Sequence, residues 1–210
     1  KIVFGDTFCY SYSPNDDDVV YNATMKGARL LSQVYYLTGE VKFIKEAAST
    51  VCFVIENQNN DGGWSYSKGD ARSWVDNFHT AYILDCLDEY ILFSKDYSIK
   101  PSLDKALIYY LDNFFVDNTI PKYYHNKIYP IDTTAIAQSL LTLSRFNKYN
   151  IANCLTNWAI INIQSHRGNF YYRKHKLYKN KISYMRWSDA YMFVALAYFL
   201  YNKRRDSGLI

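Results

Sequence analysis

The chain has 210 residues, 49% hydrophobic and 21% charged, which is enough for one domain with a real core and excludes disorder as the main state. No apolar run approaches the roughly 18 residues of a membrane span, so the sequence predicts a soluble protein. The net charge is +4, with basic and acidic residues mixed along the chain, an excess too weak to point to nucleic acid.

In chain order, the first helical pattern runs over Val20–Tyr36 and the second, with more charge on one side, over Val41–Asn57. A short aromatic hairpin follows, Gln58-Asn59-Asn60-Asp61-Gly62-Gly63-Trp64-Ser65-Tyr66. Helical patterns over Trp74–Phe93 and Leu103–Phe115 come next, then a second aromatic turn around Ile120-Pro121-Lys122-Tyr123-Tyr124. Helices over Ile131–Phe146 and Ile151–Ile163 lead to a third hairpin, Gln164 to Tyr172, which repeats Gln-x-x-x-Gly-x-aromatic-x-Tyr. The last helix is expected over Tyr184–Tyr201. Only 4 Pro and 8 Gly interrupt the chain, which suits long helices, and its 22 Tyr must fill space or line a surface.

The pattern is a repeat. A polar residue is followed eight positions later by an aliphatic one at Asn22/Leu30, Asp76/Leu84, Asp132/Leu140 and Arg186/Val194. The copies are 54, 56 and 54 residues apart, and each opens one of the less charged helices. Alternating inner and outer helices predict an all-α fold, an α/α toroid or partial toroid of about seven helices. Residues 1–210 then form one domain of four repeats, or a piece of a longer ring, since six pairs would need on the order of 320 residues. Missing repeats or a partner chain would complete such a ring. The four aligned polar residues fall at one level of one face.

The Gln-x-x-x-Gly-x-Trp element resembles the repeat motif of squalene and terpene cyclases. Gln58 to Tyr66, Asp76-Asn77-Phe78-His79-Thr80 and Tyr184-Met185-Arg186-Trp187 together resemble more closely another α/α-toroid family, found in bacterial exopolysaccharide and capsule gene clusters. Tyr21-Asn22-Ala23 also fits. That resemblance covers nearly the whole chain and implies polysaccharide handling rather than any one reaction.

His79 and Asp76 form the sharpest cluster, because a carboxylate that orients an imidazole makes a general base or acid near neutral pH. Ser73-Trp74-Val75-Asp76 also reads as a helix cap. Arg186 with Trp187 and Asp189 is the second cluster: Arg grips a carboxylate and Trp offers a sugar-stacking face, although an internal Arg186–Asp189 pair fits equally. Asp132 and Asn22 gain weight from their alignment with Asp76. Tyr66 and Tyr172 are candidate sugar contacts, whereas Trp64 and Phe170 read as structural. Arg167, Arg173, Lys174, Lys176, Lys179 and Lys181 make a basic hairpin, solvated by default and otherwise attractive to an anionic polymer. Asn15-Asp16-Asp17-Asp18 comes near an acidic cyclase signature but suits a cap. No metal or cofactor site is expected. Cys9, Cys52, Cys86 and Cys154 lack CxxC spacing and read as buried, reduced thiols, and no targeting motif is seen, which together place the protein in the cytoplasm.

These residues predict a carbohydrate-active protein of a surface-polysaccharide pathway that binds an acidic oligosaccharide. As an enzyme it would cleave a glycosidic bond or abstract a proton beside a uronate. Arg186 or Asn77 would hold the carboxylate and His79 would move the proton. An Asp76–Asp132 pair could instead run hydrolysis. A non-catalytic sugar-binding or scaffold protein and an isoprenoid-type cyclase are the alternatives. No nucleic-acid partner is expected.

Overall fold

The computed structural model describes residues 1–69 and 72–208. It resolves into two compact units, residues 1–110 and residues 111–210. Both are built from helices that alternate as the repeat predicts.

In the first unit, strands β1 (Ile2–Phe4) and β2 (Thr7–Cys9) form a hairpin, followed by helices α1 (Tyr21–Thr38), α2 (Val41–Glu56) and α3 (Asn77–Ser94). Helix α4 (Lys100–Phe114) begins here after a single 3₁₀ turn. Gly39 ends α1 in the left-handed conformation, its N–H reaching the Tyr35 carbonyl at 2.8 Å, a stop that favours glycine. Helix α2 buries Ala47, Thr50, Val51 and Val54, a one-sided stripe at helical spacing, while α3 is buried on most sides. That contrast makes α3 an inner helix and α2 an outer one. Helix α1 packs on both. Its Thr24 meets Thr50 of α2 at 2.7 Å, and its Arg29 and Gln33 both reach the buried Glu89 of α3.

The hairpin after α2 is locked by its own sequence. Gln58 Nε2 donates to the Gly62 carbonyl at 2.9 Å, and the buried Trp64 donates from Nε1 to the Val54 carbonyl at 2.8 Å. Gly62 has φ +102°, and a Cβ there would sit 2.7 Å from the Lys105 carbonyl oxygen, so only glycine fits.

The second unit contains the hairpin β3 (Phe115–Val116) and β4 (Ile120–Pro121), then β5 (Ile131–Asp132), helices α5 (Thr133–Arg145) and α6 (Tyr149–Asn162), strands β6 (Arg173–Lys174) and β7 (Lys179–Asn180), and helix α7 (Tyr191–Asp206). Strands β5, β6 and β7 form one antiparallel sheet. Helix α5 is the buried inner helix and packs on α6 and α7. The third hairpin repeats the lock of the first, with Gln164 Nε2 donating to the Gly168 carbonyl at 2.8 Å.

Several boundaries differ from the expectation. Helix α3 starts at Asn77 rather than Trp74, because Asp76 is its N-cap with extended backbone. The last helix is preceded by a π-helical turn over Met185–Ala190, so regular α-helix begins only at Tyr191. The N-terminal hairpin and the three-stranded sheet were not foreseen. Among the cysteines, Cys9 and Cys86 are buried, the latter with its thiol pushed up to about 12 by burial, but Cys52 and Cys154 are exposed on the outer helices α2 and α6.

The aligned aliphatic positions behave in two ways. Leu84 and Leu140 are 0% exposed, whereas Leu30 is 60% and Val194 53% exposed. Helix α7 carries Phe193, Leu200 and Tyr201 exposed as well.

Candidate functional site

The sharpest chemistry lies in the first unit. Asp76 caps α3 by accepting the His79 N–H at 2.9 Å. The same carboxylate meets His79 Nδ1 at 2.9 and 2.7 Å, so the cap that starts the helix also orients the imidazole. Asp76 is only 2% exposed and accepts a further hydrogen bond from Trp74 Nε1 at 3.1 Å. The His79 side chain is 26% exposed. With Nδ1 held by the carboxylate, the outward nitrogen is Nε2, and it is the one able to exchange a proton.

Aromatic rings wall this imidazole. Tyr66 stacks on Trp74 with centroids 5.0 Å apart and meets His79 edge-on at 4.7 Å, while Phe78 meets it edge-on at 5.3 Å. Burial pushes the Tyr66 phenol up, and the nearby Tyr12 and Asp76 add to that. The backbone joins these pieces: Tyr66 N–H donates to the Trp74 carbonyl at 2.8 Å, and Ser67 bridges Val20, the residue before α1. One hairpin therefore ties the start of α1 to the start of α3 and gathers Asn22, Tyr66, Asp76 and His79 at that end. Asn22 is buried, and its Oδ1 has no hydrogen-bond partner among the described residues. The half-exposed Arg72 pairs with Asp18 at 2.6 Å on the same hairpin.

Asn77 does not belong to this group. It is fully buried, and its Oδ1 accepts from Tyr110 Oη at 2.8 Å, so it holds α4 against α3 and cannot grip a sugar carboxylate.

In the second unit Asp132 occupies the aligned cap of α5. It is 2% exposed and accepts the Thr134 N–H at 2.9 Å on one oxygen. Its other oxygen takes Arg173 Nε and Nη2 at 2.9 and 2.7 Å. Both oxygens are committed, which makes Asp132 an anchor for Arg173 rather than a free acid or base. The Arg173 guanidinium lies over Tyr172 at 4.7 Å and donates to its hydroxyl at 3.1 Å. Tyr172 in turn meets Tyr184 edge-on at 5.0 Å, and Tyr184 lies 5.5 Å from Trp187.

Arg186 projects from the π-helical turn, exposed, with its guanidinium 5.6 Å from the Trp187 ring. The anticipated Arg186–Asp189 pair does not form. Asp189 accepts the Phe170 N–H at 2.7 Å and the Ser183 hydroxyl, so it fastens the third hairpin to the turn before α7. Asp189 is thereby removed from the substrate contacts, and Arg186 is left with no carboxylate partner among the described residues.

Sequence reasoning missed Trp74, Arg72 and the Asp132–Arg173 pair. Trp74 sits two residues before a recognised carboxylate, and its indole N–H was the available signal. Among the described residues no cluster of His, Cys, Asp and Glu is placed to hold a metal ion, and no helix is long and apolar enough to cross a membrane.

No family model matches the sequence, and no curated protein is significantly similar to it. Solved structures are similar in fold. A family 76 α-mannanase from Bacteroides thetaiotaomicron superposes with a TM-score of 0.63 at 10% identity, over 97% of this chain and 58% of the other. A possible family 105 member from Salmonella enterica serovar Paratyphi A gives 0.69 at 12% identity, over 93% and 58%. The chain has the α/α-toroid fold. An unsaturated glucuronyl hydrolase from Bacillus sp. GL1, described as degrading glycosaminoglycan, gives 0.65 at 10% identity, over 97% and 63%. The toroid chain described here thus spans about three fifths of the length of these structures.

Proposed function

We propose that this is a carbohydrate-active protein of a bacterial surface-polysaccharide pathway, working in the cytoplasm, that binds an acidic oligosaccharide and cleaves it beside a uronate. The observation that carries the reading is the Asp76–His79 pair, with Nδ1 held and Nε2 outward within a wall of Tyr66 and Trp74. The similarity of fold to enzymes named for mannan and unsaturated glucuronide substrates supports it.

In this reading Nε2 of His79 takes the proton from the carbon next to the uronate carboxylate. The electron pair left behind forms a carbon–carbon double bond as the glycosidic oxygen leaves. Tyr66, kept protonated by burial, returns a proton to that oxygen. Arg72, the guanidinium on the same hairpin, steadies the carboxylate as charge builds on it. The second unit carries candidate sugar contacts of its own, a cation at Arg186 and ring faces at Trp187 and Tyr172, taken separately from the Asp76–His79 chemistry. Elimination is favoured over two-carboxylate hydrolysis because Asp132 is spent on Arg173.

The test is turnover of uronate-containing against neutral oligosaccharides. The uronates should yield an unsaturated product, and His79→Ala should slow this by about 10²-fold or more. Unchanged turnover in His79→Ala refutes the role of the imidazole. Uronate binding without any turnover would favour the non-catalytic sugar-binding reading.

A further inference from the structure

The charge of the chain is not evenly mixed. Residues 1–110 carry 10 Lys and Arg against 15 Asp and Glu, whereas residues 111–210 carry 14 against 5. The first unit is therefore net −5 and the second net +9. Between Asp132 and Asp189 there is no acidic residue at all, while nine basic ones occur.

Five of those nine lie in and beside the β6–β7 hairpin: Arg173, Lys174, Lys176, Lys179 and Lys181. Among the described residues only Arg173 of these five pairs with a carboxylate, that of Asp132. Lys174 and Lys179 stand directly opposite each other across the two strands, an arrangement of like charges that destabilises a sheet. Burial, and secondarily Lys179, pushes the Lys174 ammonium below its ordinary range. Its Nζ donates to the neutral Asn162 at 2.7 Å and lies 5.3 Å from the Trp158 ring, with no carboxylate beside it among the described residues. Next to this pair, His175 and Tyr178 stack with centroids 4.3 Å apart and planes 10° from parallel. Tyr178, Lys176, Lys179 and Lys181 are exposed. A hairpin that only needed solubility would gain stability from one Glu opposite a Lys.

We propose that the β6–β7 hairpin is a holding surface for an acidic polysaccharide chain, distinct in its role from the Asp76–His79 chemistry. Lys176, Lys179 and Lys181 supply the charge, and the His175–Tyr178 stack supplies a flat face for a sugar ring. The exposed cations of the hairpin are all lysines. They are point charges without the fixed bidentate fork of arginine, and suit a chain of repeated anions held by charge rather than by one geometry. The choice of a sugar polymer rests on the function proposed above; the charge argument does not.

The experiment uses the full chain and a Lys176→Gln/Lys179→Gln/Lys181→Gln variant, with unchanged thermal unfolding as the control on folding. Each is titrated with polygalacturonate, dextran and a single-stranded oligonucleotide at low and moderate salt. Wild type should bind polygalacturonate and ignore dextran, and the variant should bind the polyuronate at least tenfold more weakly. Loss of three cations should also flatten the slope of log affinity against log salt by about 2. The matching triple Lys→Arg variant should keep the affinity. Equal binding by wild type and the Gln variant would overturn the proposal. Tighter binding of the oligonucleotide than of the polyuronate would also overturn it, making nucleic acid the partner. If short uronates are not turned over but the Gln variant still loses the polymer, the proposed reaction falls and the holding surface stands.

Discussion

The caps of α3 and α5 occupy the same place in successive repeats, and both are aspartates with almost no exposure. Asp76 spends its spare capacity on an imidazole three residues along its own helix. Asp132 spends it on a guanidinium 41 residues away. The first arrangement leaves a titratable nitrogen facing outward within aromatic walls. The second makes a closed ion pair under stacked Tyr172. A helix cap is thus a ready site for a buried carboxylate, and the residue it holds decides between chemistry and anchoring.

Breaking the pairs should separate these roles. Arg173→Ala leaves Asp132 as a buried charge without a counter-ion and should cost about 3–5 kcal/mol in urea unfolding. A cost below about 1 kcal/mol would mean that the pair is a loose surface contact. The aligned aliphatic positions come next. Leu84→Ala and Leu140→Ala should each cost about 2–5 kcal/mol, whereas Leu30→Ala and Val194→Ala should stay within about 0.5–1 kcal/mol. Equal costs would show that something covers the faces of α1 and α7 in solution. His79→Ala should be milder in stability than Arg173→Ala, since it removes a half-buried ring and leaves the Asp76 cap on its backbone N–H. Asp76→Asn should also be milder, at about 1–3 kcal/mol, because Asn keeps the cap on the His79 N–H but turns an amide NH2 towards the Trp74 and His79 ring donors. If Asp76→Asn destabilises more than Arg173→Ala, the contrast between the two caps is wrong.

Much of this was legible because it is local. The Gln-x-x-x-Gly lock and the Asp before α3 and α5 are set within a few residues of chain, where helix caps and turn glycines are read, and the 54-residue spacing shows as their recurrence. What escaped is non-local. Arg173 reaches Asp132 only because β6 pairs with β5, and nothing in either segment announces that pairing. Asn77 sat in the best motif and proved to be a core contact to Tyr110, since one turn of helix carries both inward and outward faces. Asp189 was read as Arg186's neighbour at helical spacing, but the π-helical turn changes the angle between them. The short strands over Ile2–Cys9 carry no helical period and are held by contacts such as the stack of Phe4 on Phe53.

The measurement that most directly tests the account is the tautomer of His79, read from long-range proton–nitrogen correlations of the imidazole at a pH where the ring is neutral. The geometry predicts a proton on Nδ1, shared with Asp76, and a bare Nε2. In Asp76→Ala the ring should lose that preference. A wild-type spectrum showing the proton on Nε2 would mean that Asp76 is only a helix cap, and His79 would lose its claim to move a proton.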